Sequence, residues 1–181
     1  MNQLPRTVSL TARVSPGDHI RGFEGAKVTV VEYGDFECAA CGQAYHAVKM
    51  LLDRFGDRLC FVFRHFPQLE MNLCAESAAE AAESAGGQHK FWQMHDLLLE
   101  NQTYLKAINL KQYATKAELD LGQFDREMHD HLYLQRVQQD IESGLSSHVQ
   151  CTPAFFVNGV LSDVSVGLHR LEQAIEDELA V

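Results

Sequence analysis

The chain has 181 residues, of which 46% are hydrophobic and 22% charged, as in a globular protein of one domain with room for an insertion. Its formal net charge of −10 would be repelled by phosphate backbones and anionic lipid surfaces, so we expect no nucleic-acid or membrane-surface role. No apolar run approaches the length that spans a bilayer.

After an N-terminal leader, the first part of the chain is predicted to fold as strand, helix and strand. Weak alternation over residues 8–14 indicates an edge strand in the leader. Residues 27–34 have the pattern of a buried strand, and apolar residues at helical spacing over 44–55 predict a helix. A second strand follows at 59–63. This order requires a parallel strand pair with a right-handed crossover.

The segment from residue 70 to residue 148 is predicted to be helical throughout. Asn72 is the expected cap of a helix through the alanine-rich run 75–85, and Gly86-Gly87 would close it. Apolar spacing predicts further helices around residues 91–98, 110–119 and 124–141.

The end of the chain returns to strands and a final helix. Residues 154–157 form an apolar strand, and Asn158-Gly159 is a strong tight-turn signal into a short strand at 160–161. An amphipathic helix is predicted over 168–179. The whole order predicts an α/β fold, a mixed sheet flanked by helices. Its core comprises residues 1–69 with the leader and 149–181, interrupted by an all-helical insertion at 70–148.

The cysteines carry the clearest chemical signal. Five of them at irregular spacing do not resemble a structural disulfide framework: Cys38, Cys41, Cys60, Cys74 and Cys151. Cys38-Ala39-Ala40-Cys41 lies between a strand and a helix, where unpaired backbone N–H groups and the helix dipole favour a thiolate. The pattern favours a redox pair over half of a zinc site, because zinc usually needs four ligands and the sequence has no second such pair.

The remaining thiols and the histidines are interpreted as structural or solvated. Cys60 belongs to a buried strand, and Cys74, at a helix start, is the more exposed of the two. No histidine is assigned to a metal, which covers His65, His89, His95, His129 and His131. His148 is expected to be a solvated loop residue. The sequence thus predicts no metal site.

Glu32 stands inside an otherwise apolar strand, six residues before Cys38. Buried beneath the active-site helix, its carboxyl would have a raised pKa and could accept the proton of Cys41. Periodicity alone equally allows Glu32 to face solvent.

Thr152-Pro153 lies at the start of the strand 154–157, a place where proline is tolerated and where its peptide bond is a candidate for the cis isomer. The backbone of Thr152 could then pair with an extended substrate peptide. An ordinary trans proline is the alternative. Cys151, just before, could relay a disulfide as an accessory thiol, or it could have no role.

Two segments, Val31–Cys41 and Thr152–Gly159, together with the inserted helices, resemble the DsbA family of thioredoxin-fold proteins. The resemblance covers about residues 15–180. It implies that Cys38 attacks, Cys41 resolves, Pro153 is the cis-proline, Thr152 contacts substrate and Glu32 is the buried acid. It also implies protein or peptide thiols as substrates, a redox partner protein or glutathione, and no bound cofactor.

The sequence departs from the best-known oxidant of that family, which has Pro-His where this chain has Ala39-Ala40. Without a histidine donor the thiolate is less stabilised, so we expect a weaker oxidant, acting as reductase or isomerase. The absence of a signal-peptide pattern in Met1–Arg6 predicts a cytoplasmic protein, or a periplasmic one if a signal preceded this sequence. A kappa-type glutathione transferase or isomerase and a non-catalytic zinc or partner-binding module are the alternatives.

Overall fold

The computed structural model describes residues 8–165 and 167–181, so the signal-peptide expectation at Met1–Arg6 lies outside the described residues. Five strands lie within these residues: β1 (His19–Gly22), β2 (Val28–Gly34), β3 (Leu59–His65), β4 (Ala154–Val157) and β5 (Val160–Ser162). The same described residues form seven α-helices: α1 (Ala39–Phe55), α2 (Ala75–Gly87), α3 (Phe91–Glu100), α4 (Ala107–Lys116), α5 (Leu121–His129), α6 (Leu134–Ser146) and α7 (His169–Ala180). No helix of the described residues is long and apolar enough to cross a membrane.

The strands form one mixed sheet in the order β1-β3-β2-β4-β5. β2 and β3 pair in parallel and are joined by α1, whereas the other three pairings are antiparallel. Asn158 and Gly159 both have positive φ in the tight β4–β5 turn. The predicted thioredoxin fold is confirmed, as are the parallel pair and the hairpin at the end.

The helical segment between β3 and β4 comprises α2 to α6. Its alanine-rich helix α2 packs against each of the other four, because small side chains allow close approach. A continuous apolar core joins this segment to α1 and one face of the sheet, where Phe63, Met94 and Leu98 are all buried. A smaller core around Phe156 lies on the opposite face.

The leader differs from its prediction. Its edge strand is β1, at His19–Gly22, whereas over residues 8–14 the structure has an isolated bridge between Ser9 and Val160. The reason is a side chain: the buried guanidinium of Arg64 donates to the carbonyl oxygens of Ala12 and Arg13, at 2.9 and 3.1 Å. These carbonyl groups are therefore bonded to an arginine instead of to a neighbouring strand.

Candidate active site

The two cysteines of the motif lie where β2 passes into α1. Cys38 occupies the position before the first helical residue, with an extended backbone, and its side chain is half-buried. Cys41 lies in the first turn and is fully buried, and its sulfur accepts a 3.4 Å hydrogen bond from the backbone N–H of Asp35. The half-buried thiol of Cys38 is thus the one that another molecule can reach, and both cysteines are free thiols in this structure.

The surroundings push the pKa values of the two thiols apart. The pKa of Cys38 falls to about 5, because the Cys41 thiol donates to its sulfur; the side chain of Thr152 and the N–H groups of the helix also lower this pKa, whereas burial raises it. The same hydrogen bond, together with burial and the charge of Glu32, raises the pKa of Cys41 well above its usual value. Near neutral pH the pair therefore consists of a Cys38 thiolate and a protonated Cys41.

Glu32 lies on the face of β2 that packs against α1, since it alternates with Val30 and Gly34 along the strand. Only 3% of its surface is exposed, and its Oε1 atom has no hydrogen-bond partner among the described residues. Burial, followed by the charge of Cys38, raises its pKa to about 8. Of the two orientations that periodicity allowed, the structure has the buried one.

The loop before β4 faces the Cys38 sulfur. The Thr152–Pro153 peptide bond is cis, and the carbonyl oxygen of Thr152 lies 3.4 Å from Sγ of Cys38. The thiol donates in this contact, whereas a thiolate has no proton to offer. A groove of about 490 Å³ runs along this loop and past Ala40 to residues 161–165. Exposed Cys151 lines the groove, as does His148.

Two carboxylates beside the cysteines were not singled out in the sequence. Buried Asp35 accepts hydrogen bonds from the N–H groups of Glu37 and Gln68, at 2.8 and 2.9 Å, and from the side chain of Asn72, at 2.7 Å. Asn72 therefore does not cap α2 as predicted, because Asp35 binds its side-chain amide. The residue before α2 is Cys74, and its side chain makes no capping hydrogen bond.

Glu37 makes a similar link, because its carboxylate accepts a 2.8 Å hydrogen bond from the N–H group of Cys74. Together the two acids attach the loop before α1 to the beginning of the inserted segment. The available sequence signal was the placement of acids beside the cysteines, in a turn whose N–H groups need acceptors.

Among the described residues, two histidines and a glutamate lie close enough together to be metal ligands: His19, His65 and Glu83. Each imidazole Nε2 lies 2.8 Å from the same carboxylate oxygen of Glu83. Burial raises the pKa of Glu83, but these two hydrogen bonds outweigh it and hold that pKa below its usual range. The guanidinium of Arg136, 4.0 Å away, already supplies positive charge. We therefore interpret the cluster as a hydrogen-bonded link between β1, β3 and α2. Cys60 and Cys74 lie outside it.

Comparison with known proteins agrees with the fold described above. The sequence model of the family described as Thioredoxin matches residues 14–177. Among solved structures, oxidised BdbD from Bacillus subtilis is similar, with a TM-score of 0.85 and 22% identity over 97% of this chain and 99% of that one. A thioredoxin-like oxidoreductase from Silicibacter pomeroyi DSS-3 has a TM-score of 0.81 and 25% identity, covering 92% of this chain and 95% of that one.

A curated relative is much longer than this chain. The Na(+)/H(+) antiporter NhaA 1 of Salinispora arenicola (strain CNS-205) is 43% identical over 174 residues, which are 96% of this chain and 26% of the antiporter. The chain thus spans about a quarter of the length of that relative.

Proposed function

Because this chain belongs to the thioredoxin family and has the DsbA-type form of its fold, we propose that it is a thiol–disulfide oxidoreductase that exchanges disulfides with protein or peptide thiols. The observation that carries the proposal is the asymmetry of the cysteine pair. A half-buried thiol with a lowered pKa lies beside a buried thiol with a raised one. Thiolates are the attacking species in disulfide exchange, so this asymmetry supports the proposal that Cys38 attacks and Cys41 resolves.

In the reducing direction, the Cys38 thiolate attacks one sulfur of a substrate disulfide. The substrate's S–S bond breaks, a mixed disulfide forms on Cys38, and the other substrate sulfur leaves as a thiolate. Cys41 then loses its proton and attacks Sγ of Cys38, which releases the second substrate thiolate. The substrate gains two electrons, and the enzyme retains a Cys38–Cys41 disulfide. The oxidising direction reverses each step.

Glu32 is the proposed acceptor of the Cys41 proton. While Cys38 is a thiolate, its negative charge helps to keep the Glu32 carboxyl protonated. Formation of the mixed disulfide removes that charge, so the pKa of Glu32 falls and a larger fraction is carboxylate. That change comes at the step in which Cys41 must lose its proton. More of the Glu32 carboxyl is thus unprotonated, and able to accept a proton, when Cys41 must lose one.

Replacing Glu32 with glutamine is expected to slow exchange and also to stabilise the reduced protein. Burial raises the pKa from 4.5 to about 8, so the folded state keeps a proton that the unfolded state has released over that interval. The native protein therefore loses stability as pH rises across it, whereas glutamine has no charge to bury. We expect the variant's advantage in free energy of unfolding to grow to about 2–4 kcal/mol at pH 8.

Urea unfolding at pH 5 and pH 8 measures this gap, with exposed Glu24→Gln as the matched control. An advantage that is the same at both pH values would contradict the assigned environment of Glu32.

Substrate docking is proposed at Thr152 and Pro153. The carbonyl oxygen of Thr152 lies 3.4 Å from the Cys38 sulfur, and both residues line the groove of about 490 Å³. Main-chain pairing with Thr152 would bring a substrate cysteine to Cys38 and would depend little on the substrate's side chains.

The proposed redox strength is intermediate. With Ala39-Ala40 between the cysteines, the Cys38 thiolate depends on Cys41, Thr152 and backbone N–H groups, and its pKa is about 5. That lies between about 3.5 for DsbA and about 7 for thioredoxin. A less stabilised thiolate gives a less oxidising couple. We propose that the protein works in a reducing cytoplasm. There such a pair would act as reductase or isomerase, and glutathione or a partner protein would reduce its disulfide again.

Cys151 is proposed as an accessory thiol that takes over the disulfide from Cys38. Its exposed position in the groove, next to the residue that contacts Cys38, supports the idea. In a Cys41→Ser variant treated with oxidised glutathione, peptide mass mapping should then find a Cys38–Cys151 disulfide. If Cys38–Cys41 is the sole pair in the native protein and Cys151 stays free in the variant, the relay does not exist.

Two other functions predict different measurements. A kappa-type transferase would turn over glutathione with a small electrophile and would not reduce insulin, and the intact cysteine pair argues against it. A zinc module would be purified with one metal ion per chain, lost on Cys38→Ser. Insulin reduction together with metal analysis therefore separates the three.

A further inference from the structure

The inserted helical segment reaches the backbone of the nucleophilic cysteine through Gln102, in the loop between α3 and α4. The side-chain nitrogen of Gln102 donates to the carbonyl oxygen of Cys38 at 2.7 Å and to that of Phe36 at 2.9 Å. A carboxamide nitrogen carries two hydrogens, so one group can make both bonds. The amide thus spans the three residues that lead into α1.

The carbonyl group of Cys38 is also the first acceptor of the helix. It receives the N–H groups of Cys41 at 3.0 Å and Gly42 at 3.2 Å. Gln102 therefore binds the carbonyl group that starts α1, which belongs to the backbone of Cys38, the residue that carries the reactive sulfur. A shift of this peptide group would move Cys38 relative to Cys41, and the hydrogen bond from the Cys41 thiol is the largest of the causes that lower the pKa of Cys38.

Gly42 completes the contact from the helix side. A Cβ atom at this position would overlap the side-chain amide of Gln102. Within a helix, glycine is less favourable than alanine, so its presence needs a packing reason. The missing side chain leaves room for the Gln102 amide to lie against the first turn of α1.

We propose that Gln102 is a positioning residue that holds the start of α1 and, through it, stabilises the Cys38 thiolate. The inserted segment thereby takes part in setting the redox strength of the cysteine pair. This inference deepens the proposed disulfide exchange and rests on it. Gln102 acts through the hydrogen bonds that it donates, because they place the positive end of its amide dipole against the peptide group of Cys38.

The test compares Gln102→Ala, Gly42→Ala and the double variant, with Gln173→Ala as control, since Gln173 bonds only to Asp177 among the described residues. Thiolate absorbance at 240 nm reports the Cys38 titration, and equilibrium with glutathione reports oxidising strength. Urea unfolding reports stability separately. We expect Gln102→Ala to move the Cys38 titration to higher pH and to lower the equilibrium constant for oxidation of substrate thiols about threefold.

The double variant separates hydrogen bonding from packing. Removing the Gln102 amide leaves room for a methyl group at position 42, so the double variant should be more stable than Gln102→Ala, yet its titration and redox equilibrium should stay shifted. Wild-type values in Gln102→Ala, or their return in the double variant, would overturn the proposal. If the wild-type protein does not exchange with glutathione at all, the proposed function fails, while the thiolate titration still tests the positioning role.

Discussion

Replacing Cys38 with serine is expected to reduce catalysed disulfide exchange to the background rate. A serine hydroxyl does not ionise at neutral pH and cannot form a disulfide, so neither the attack nor the mixed disulfide remains. Cys41 cannot substitute for it, because it is fully buried and its pKa is raised. Reduction of insulin by dithiothreitol measures the loss, and the thiolate absorbance that titrates near pH 5 should vanish as well.

Cys74→Ser is the matched control for this change. Cys74 is also a partly buried cysteine directly before a helix, and serine is well suited to that position. The control should keep wild-type activity. Residual catalysis by Cys38→Ser, or an equal loss in Cys74→Ser, would contradict the assignment of Cys38 as nucleophile.

Replacing Arg64 with methionine is expected to cost about 3–5 kcal/mol of folding stability. The side chains of Arg64 and Asp18 are each only 4% exposed and form two hydrogen bonds, at 2.7 and 3.1 Å. Arg64 also donates to Tyr33 at 3.0 Å and to the two leader carbonyls described above. Its removal leaves a buried carboxylate and several buried acceptors without their donor. Urea unfolding at pH 7 measures the cost.

The pair also predicts a pH dependence. Burial raises the pKa of Asp18, but the hydrogen bonds from Arg64 and from the backbone N–H group of Ser15 outweigh it, so the folded pKa lies below the usual 3.8. The stability it contributes is therefore present above about pH 4 and is lost as pH falls through the folded pKa. Arg64→Met should weaken that acid sensitivity, because only the hydrogen bond from Ser15 and the charge of Arg136 would still lower the pKa of Asp18.

The control for this change is Arg54→Met, which breaks the exposed ion pairs with Glu172 and Glu176 and should cost no more than about 1 kcal/mol. Equal losses in the two variants would show that burial of Arg64 does not matter.

Most of the fold could be predicted because its signals are local. Strand periodicity, a helical pattern and the Asn158-Gly159 turn each depend on neighbouring residues. β1 was missed because it is only four residues long and is defined by its pairing with β3. Residues 8–14 do alternate, but Arg64, some fifty positions away, binds the carbonyl groups of Ala12 and Arg13. No local pattern shows that bond.

The residues of the site also divide into those with a local sequence signal and those whose place depends on tertiary contacts. The cysteine pair and Thr152-Pro153 stand out by residue type and spacing. Glu32 was ambiguous, because alternation gives the face of a strand but not which face is covered. Asn72 is a residue type that commonly caps helices, but its side chain donates a tertiary hydrogen bond to Asp35 instead. Gln102 carries no sequence signal, since its role depends on a contact across 64 residues.

The decisive measurement is the reduction potential of the Cys38–Cys41 pair. It is made in glutathione buffers, with peptide mass mapping to identify the disulfide. We predict a single two-electron couple between about −270 mV, the thioredoxin value, and about −120 mV, the DsbA value. A potential as high as about −120 mV would contradict the interpretation of Ala39-Ala40 as the mark of a weaker oxidant. Failure of Cys38 and Cys41 to form a disulfide in any of these buffers would contradict the proposed function itself.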